Sequence, residues 1–216
     1  MNRSVRNGYL IPVLLCAAAG VLQPAQAADA SATVSAGPPV PARWVTRKFG
    51  LTFMGFTAHY SCDGLRDNLR DILLQLGARK EDLKLREVGC VRLDGPTPMP
   101  RVEGSFAVLV PVSELTPKDV LAPPPPKAPA GSQATGDPVP ARWHSVDLVR
   151  NLRYQFDLTG NCELLEQVKK EVLPLVSSRN LTYHSVCIPY TATAGGVNFK
   201  LDVLVPPQKE QVARAE

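Results

Sequence analysis

The sequence predicts an α+β protein built of two tandem β-α-β-β units, each a helix packed on a small antiparallel-rich sheet. Three observations carry that prediction. The block Pro39-Val40-Pro41-Ala42-Arg43-Trp44 returns residue for residue as Pro138-Val139-Pro140-Ala141-Arg142-Trp143. The strand-like Val108-Leu109-Val110-Pro111 returns as Val203-Leu204-Val205-Pro206. Between these landmarks cysteines fall 18 and 46 residues after the first tryptophan, and 19 and 44 after the second. Matches in one order over such a length mark an internal duplication.

Each unit opens with an extended segment whose apolar residues alternate: Phe49, Leu51 and Phe53 in the first, Tyr154, Phe156 and Leu158 in the second. A helix follows. From Asp63 to Ala78, Leu65, Leu69, Ile72, Leu73 and Leu76 share one face, with Arg66, Asp67, Arg70 and Asp71 opposite. Gly77 is placed to end it. In the second unit the face is Leu164, Leu165, Val168 and Val172, with Asn161 as the cap, Glu163 near the positive end, and Pro174 as the stop. Two strands close each unit, Leu83 to Leu93 with Val102 to Val110, and Leu181 to Ile188 with Val197 to Val205. Aligning the units leaves Gly89 unmatched, which predicts a bulge there that the second unit lacks.

Composition sets the organisation. The chain has 216 residues, 44% of them hydrophobic, which excludes wholesale disorder, and 21 prolines, about double ordinary usage. The prolines must therefore be segregated. Residues 1–27 read as a signal peptide: Arg3 and Arg6, an apolar stretch from Tyr9 to Leu22, then Ala25-Gln26-Ala27 before the cut. A disordered leader (28–38), the first unit (39–121), a Pro/Gly/Ser-rich linker (122–137), the second unit (138–207) and a polar tail (208–216) follow. No apolar run in the mature chain is long enough to span a membrane. The expected location is periplasmic or secreted.

Losing Arg3 and Arg6 lowers the formal charge from +4 to +2, too small and dispersed a surplus to suggest nucleic acid. Losing Cys16 leaves Cys62, Cys90, Cys162 and Cys187, which could pair in any of three ways. One cysteine of each unit starts the helix and the other follows in a strand. Packing helix on sheet joins Cys62 to Cys90 and Cys162 to Cys187.

Chemistry is sparse. His59, His144 and His184 are not equivalent in the two units and lack metal-site spacing. No metal, cofactor or catalytic residue is predicted. Asp63, Asp67 and Asp71 recur every four residues, but Arg66 and Arg70 interleave, so they read as a solvated face. Acid–base work by Asp63 would require burial. The repeated block supplies the candidate binding residues, Arg43, Trp44, Arg142 and Trp143, with an envelope protein or peptide as partner. The competing reading has the tryptophans plugging the two small cores.

The stretch Tyr60-Ser61-Cys62-Asp63-Gly64-Leu65, followed by Leu73-Leu74-Gln75-Leu76-Gly77-Ala78-Arg79, resembles a segment of uncharacterised exported bacterial proteins. The resemblance implies an envelope location and carries no activity. The expected function is a non-catalytic binding or envelope-interaction module. Its rivals are a hydrolase inhibitor presenting Asp94-Gly95-Pro96-Thr97-Pro98-Met99-Pro100, and an enzyme with a polar cleft between the units. The units could be tethered beads or could pair across a pseudo-twofold. The modest core of a unit of about seventy residues favours pairing.

Overall fold

The computed structural model describes residues 38–56, 58–90, 99–121, 137–151, 156–158, 161–186, 188 and 197–207. The leader, most of the linker, the tail, Cys187 and residues 94–98 of the proline-rich loop lie outside them.

The first half runs β1 (Val40–Thr52), α1 (Cys62–Gln75), β2 (Lys84–Val88), β3 (Arg101–Pro111) and a short α2 (Pro117–Leu121). The second runs β4 (Val139–Asp147), a small hairpin of β5 (Arg150–Asn151) and β6 (Phe156–Asp157), α3 (Cys162–Glu171), β7 (Ser178–His184) and β8 (Asn198–Val205). Six strands form one antiparallel sheet in the order β2-β3-β1-β4-β8-β7. The α+β class is as expected, and the halves are one structure rather than tethered beads.

The join lies in the repeated block. Pro41 stands opposite Pro140, with Val40 facing Ala141 and Ala42 facing Val139. This pairing spans only these three facing pairs. The sheet then curls. Strands three places apart in a flat sheet stand about 14 Å from each other, yet Cα atoms of β3 and β8 come within 8 Å.

Strand pleating sends alternate side chains to opposite faces. One face carries Phe49, Leu51, Phe106 and Val108 from the first half and Leu148, Phe199, Leu201 and Val203 from the second. Both helices pack there into one core. In α1 the buried set is Leu65, Leu69, Ile72 and Leu73, and in α3 it is Leu164, Leu165 and Val168, as the periodicity requires. Ser61 caps α1 by accepting the Gly64 N–H at 3.2 Å. At the other end Gly77 takes φ +86°, while Ala78 N–H donates to Leu73 C=O at 2.9 Å and Gly77 N–H to Leu74 C=O at 3.2 Å. That is a Schellman closure, which needs a residue tolerating positive φ. A Cβ on Gly77 would also lie 2.7 Å from the Leu204 carbonyl oxygen of β8, so this glycine lets the two halves close up.

Two local expectations are corrected. Asn161 occupies the N-cap of α3, but its side chain makes no cap hydrogen bond. Glu163 lies in the first turn of α3, as expected, and also accepts from the backbone of the first half: Phe56 N–H at 2.9 Å and Ala58 N–H at 3.3 Å. The irregular backbone expected near Gly89 is present, but the second half has one too. Gly89, at φ +71°, lies just beyond the end of β2, whereas the register shifts between Arg179 and Thr182 in β7, where Asn180 takes φ 53°.

Cys62 and Cys90 form a disulfide with a Cα–Cα distance of 6.3 Å, tying the start of α1 to the end of edge strand β2. Cys162 is disulfide-bonded too. A disulfide fits an oxidising compartment. No described helix is long and apolar enough to cross a membrane.

Candidate functional site

Of the side chains expected to bind, Arg43, Trp44 and Trp143 are half-buried and Arg142 is exposed. Trp44 and Trp143 point to the face opposite the helices, half-buried against Ala42, Leu109, Ala141, Leu204 and Val139. The block is therefore the seam of the sheet, and that seam is filled with apolar side chains rather than a polar cleft. Each ring is covered by an arginine from elsewhere. The Arg79 guanidinium lies 4.9 Å from the Trp44 centroid and that of Arg179 lies 4.4 Å from Trp143. Arg79 is paired with the buried Asp82, and Arg179 Nε with Asp202 at 3.3 Å.

Of the helical aspartates, Asp63 and Asp67 are exposed, whereas Asp71 is half-buried and burial, then the nearby Asp67, raises its carboxyl above the usual range. At Asp63 a hydrogen bond with Ser61, then one with the Gly64 backbone, holds the carboxyl below the usual range. That is the opposite of what a general acid needs. Arg66 bridges Asp67 at 2.8 Å and Glu87 at 2.7 Å. Among the described residues no group of three or more His, Cys, Asp and Glu could hold a metal ion.

A different surface emerges where register gathers residues that are remote in sequence. On the helix-free side of the first half, Lys48, Ser105 and Lys84 stand in one row across β1, β3 and β2. The next row is Gly50, Glu103 and Arg86, and the one after it Thr52, Arg101 and Val88. Glu103 accepts from Arg101 at 2.8 Å and from Arg86 at 2.8 Å, and these bonds, Arg101 first, hold its carboxyl below the usual range. One carboxylate is thus shared by two guanidinium groups. Lys48 and Lys84 are exposed, and among the described residues neither ammonium has a carboxylate partner. A shallow depression of about 440 Å³ lies over Lys48, Lys84, Arg86, Glu103 and Ser105.

No family model, curated protein or solved structure matches this chain.

Among the described residues, the strand charges on the corresponding face of the second half balance. Asp202 takes hydrogen bonds from the Ser145 hydroxyl, from Asn180 at 2.7 Å and from Arg179 at 3.3 Å, the Ser145 bond doing most to keep its carboxyl below the usual range. Lys200 faces Asp147 at 3.8 Å. Each cation there has its own carboxylate. The signal for the first-half strip was in the sequence as alternation, Lys84-x-Arg86 and Arg101-x-Glu103-x-Ser105, but the register that sets these beside Lys48 is not local.

Proposed function

We propose that this chain is an exported, duplicated, non-catalytic binding protein whose partner is anionic and is met by the helix-free face of the first half. The observation that carries the reading is the Lys48-Ser105-Lys84 row. Two ammonium groups on adjacent-but-one strands, about 10 Å apart at Cα, flank a hydroxyl that can donate to an anion between them. Arg86 and Arg101 extend the positive field along the strands, with Glu103 cancelling only one of the four cations. Export is supported by the Arg3/Arg6, apolar, Ala25-Gln26-Ala27 sequence, by the resemblance carried by Tyr60–Arg79, and by the disulfide chemistry. In this reading Cys162 pairs with Cys187, the equivalent of Cys62 with Cys90.

Fluorescence anisotropy with a short labelled polyphosphate tests the reading on the mature chain. Lys48→Glu with Lys84→Glu is expected to weaken binding at least about tenfold, and added salt to weaken the wild type. Equal affinity of wild type and variant overturns the reading.

A further inference from the structure

The cationic strip ends in an exposed apolar tip on the same face. The Phe53 N–H donates to Pro100 C=O at 2.9 Å, which carries the β1–β3 ladder one step past Thr52 and Arg101. Continuing that register sets Met54 opposite Met99. Phe53 is in the core at 1% exposure, so pleating turns Met54 outward, to the side that carries Lys48, Arg86 and Arg101. Met54 is 60% exposed, Met99 62% and Phe56 57%. Two large apolar side chains facing each other across the end of a ladder are not the scattered single exposures of an ordinary surface.

The tip is also braced. Gln167 of α3 accepts the Met54 N–H at 3.2 Å and donates to the Met54 carbonyl at 2.9 Å. Glu163 accepts the N–H of Phe56 at 2.9 Å. The second half thus holds the backbone that presents these side chains outward.

From this arrangement we infer that the first half docks on an anionic lipid surface, with Met54 and Met99 entering the headgroup–acyl boundary and Lys48, Lys84, Arg86 and Arg101 meeting headgroup phosphates. Apolar residues backed by cations are the chemistry of interfacial membrane binding, and neither part alone holds a protein there firmly. The lysine row lies six residues from Met54 along β1, about 20 Å, so the face meets the surface obliquely, tip first. Lysine stems are long enough to keep their charge at the phosphates. A soluble polyanion would use the cations but would leave the tip without a role. The inference rests on the anionic-partner reading above and adds the lipid.

Cosedimentation with vesicles tests it, using the mature chain and either phosphatidylcholine alone or phosphatidylcholine mixed with phosphatidylglycerol. The expected result is binding to the mixed vesicles only. Met54→Ser with Met99→Ser should lower that binding at least about tenfold while leaving polyphosphate affinity unchanged. Lys48→Glu with Lys84→Glu should lower both. Val186→Ser with Ile188→Ser, which removes exposed apolar groups of the second half, should bind as wild type does. Unchanged melting temperatures confirm that the variants fold. Polyphosphate binding without vesicle binding overturns the lipid inference and leaves the anionic-partner reading standing. Binding to neither overturns both. Equal binding to both vesicle types, or full binding by the methionine variant, also overturns the lipid inference.

Discussion

The two halves share a topology and differ in what they do with it. In the first, β1 runs unbroken through 13 residues and pairs with β3 along nearly its whole length. In the second, β4 stops at Asp147, whose side chain accepts the Val149 N–H at 2.9 Å, and a small hairpin takes over. The first ends its helix with a glycine closure, whereas α3 passes through Val172 into a 3₁₀ turn at Leu173–Leu175 containing Pro174. On the helix-free face, among the described residues, the first half leaves Lys48 and Lys84 without carboxylates and the second matches Arg179 with Asp202 and Lys200 with Asp147. In the reading proposed above, a shared frame with charges balanced on one side and unbalanced on the other lets one half support and the other meet a partner. Gln167 and Glu163 show the supporting role directly, since both hold backbone of the opposite half.

The largest effects should come from breaking the shared core. Phe106 and Phe199, one from each half, are both fully buried in the same cluster. Either Phe→Ala change is expected to cost about 3–5 kcal/mol. Because the core is continuous, calorimetry should show one transition shifted downward for each variant. Two separable transitions, each moved by only one of the variants, would mean that the halves fold independently.

A smaller loss is expected at Gly77. Alanine there must adopt φ +86° and place its Cβ against the Leu204 carbonyl, a cost of about 2 kcal/mol or more from strain and crowding together. Denaturant unfolding measures it. The same change at Gly89, where nothing lies within 4 Å of the added Cβ, carries only the conformational part and should cost less.

The smallest effect is a pH dependence that sharpens the charge comparison. The Asp202 carboxyl is held below its ordinary value, chiefly by Ser145. Its contribution is therefore fully present above the unfolded value of about 3.9 and is lost as pH falls through the lower folded value. Asp202→Asn should lose less stability than wild type between about pH 5 and pH 3, as read by urea unfolding. Glu103 in the first half has the same sign, set by Arg101 and then Arg86.

Features fixed by nearby residues were legible in the sequence. Leu65, Leu69, Ile72 and Leu73 announce the helix by spacing, Gly77 its end, and Cys62 with Cys90 the strap between helix and strand. What escaped depends on partners distant along the chain. The Trp44 ring is covered by Arg79 and not by its neighbour in the repeated block, because the strand turns that ring toward the far face. Gly89 takes positive φ, but the second half, expected to be regular, has its own irregularity at Asn180, since an asparagine can also take positive φ. Charges dispersed in sequence became a strip only through the pairing of Lys48 and Lys84 with Ser105.

The account turns on the repeated block being a seam at which the two halves become one sheet. Pro41 and Pro140 have no N–H to exchange, so their facing pair must be of the non-hydrogen-bonded kind, with Cα atoms about 4.5 Å apart. In such a pair the two Hα protons point at each other. A nuclear Overhauser measurement on the proline-labelled mature chain should give a strong cross-peak between Pro41 Hα and Pro140 Hα. Its absence, with the β1–β3 and β4–β8 cross-peaks intact, would contradict the account.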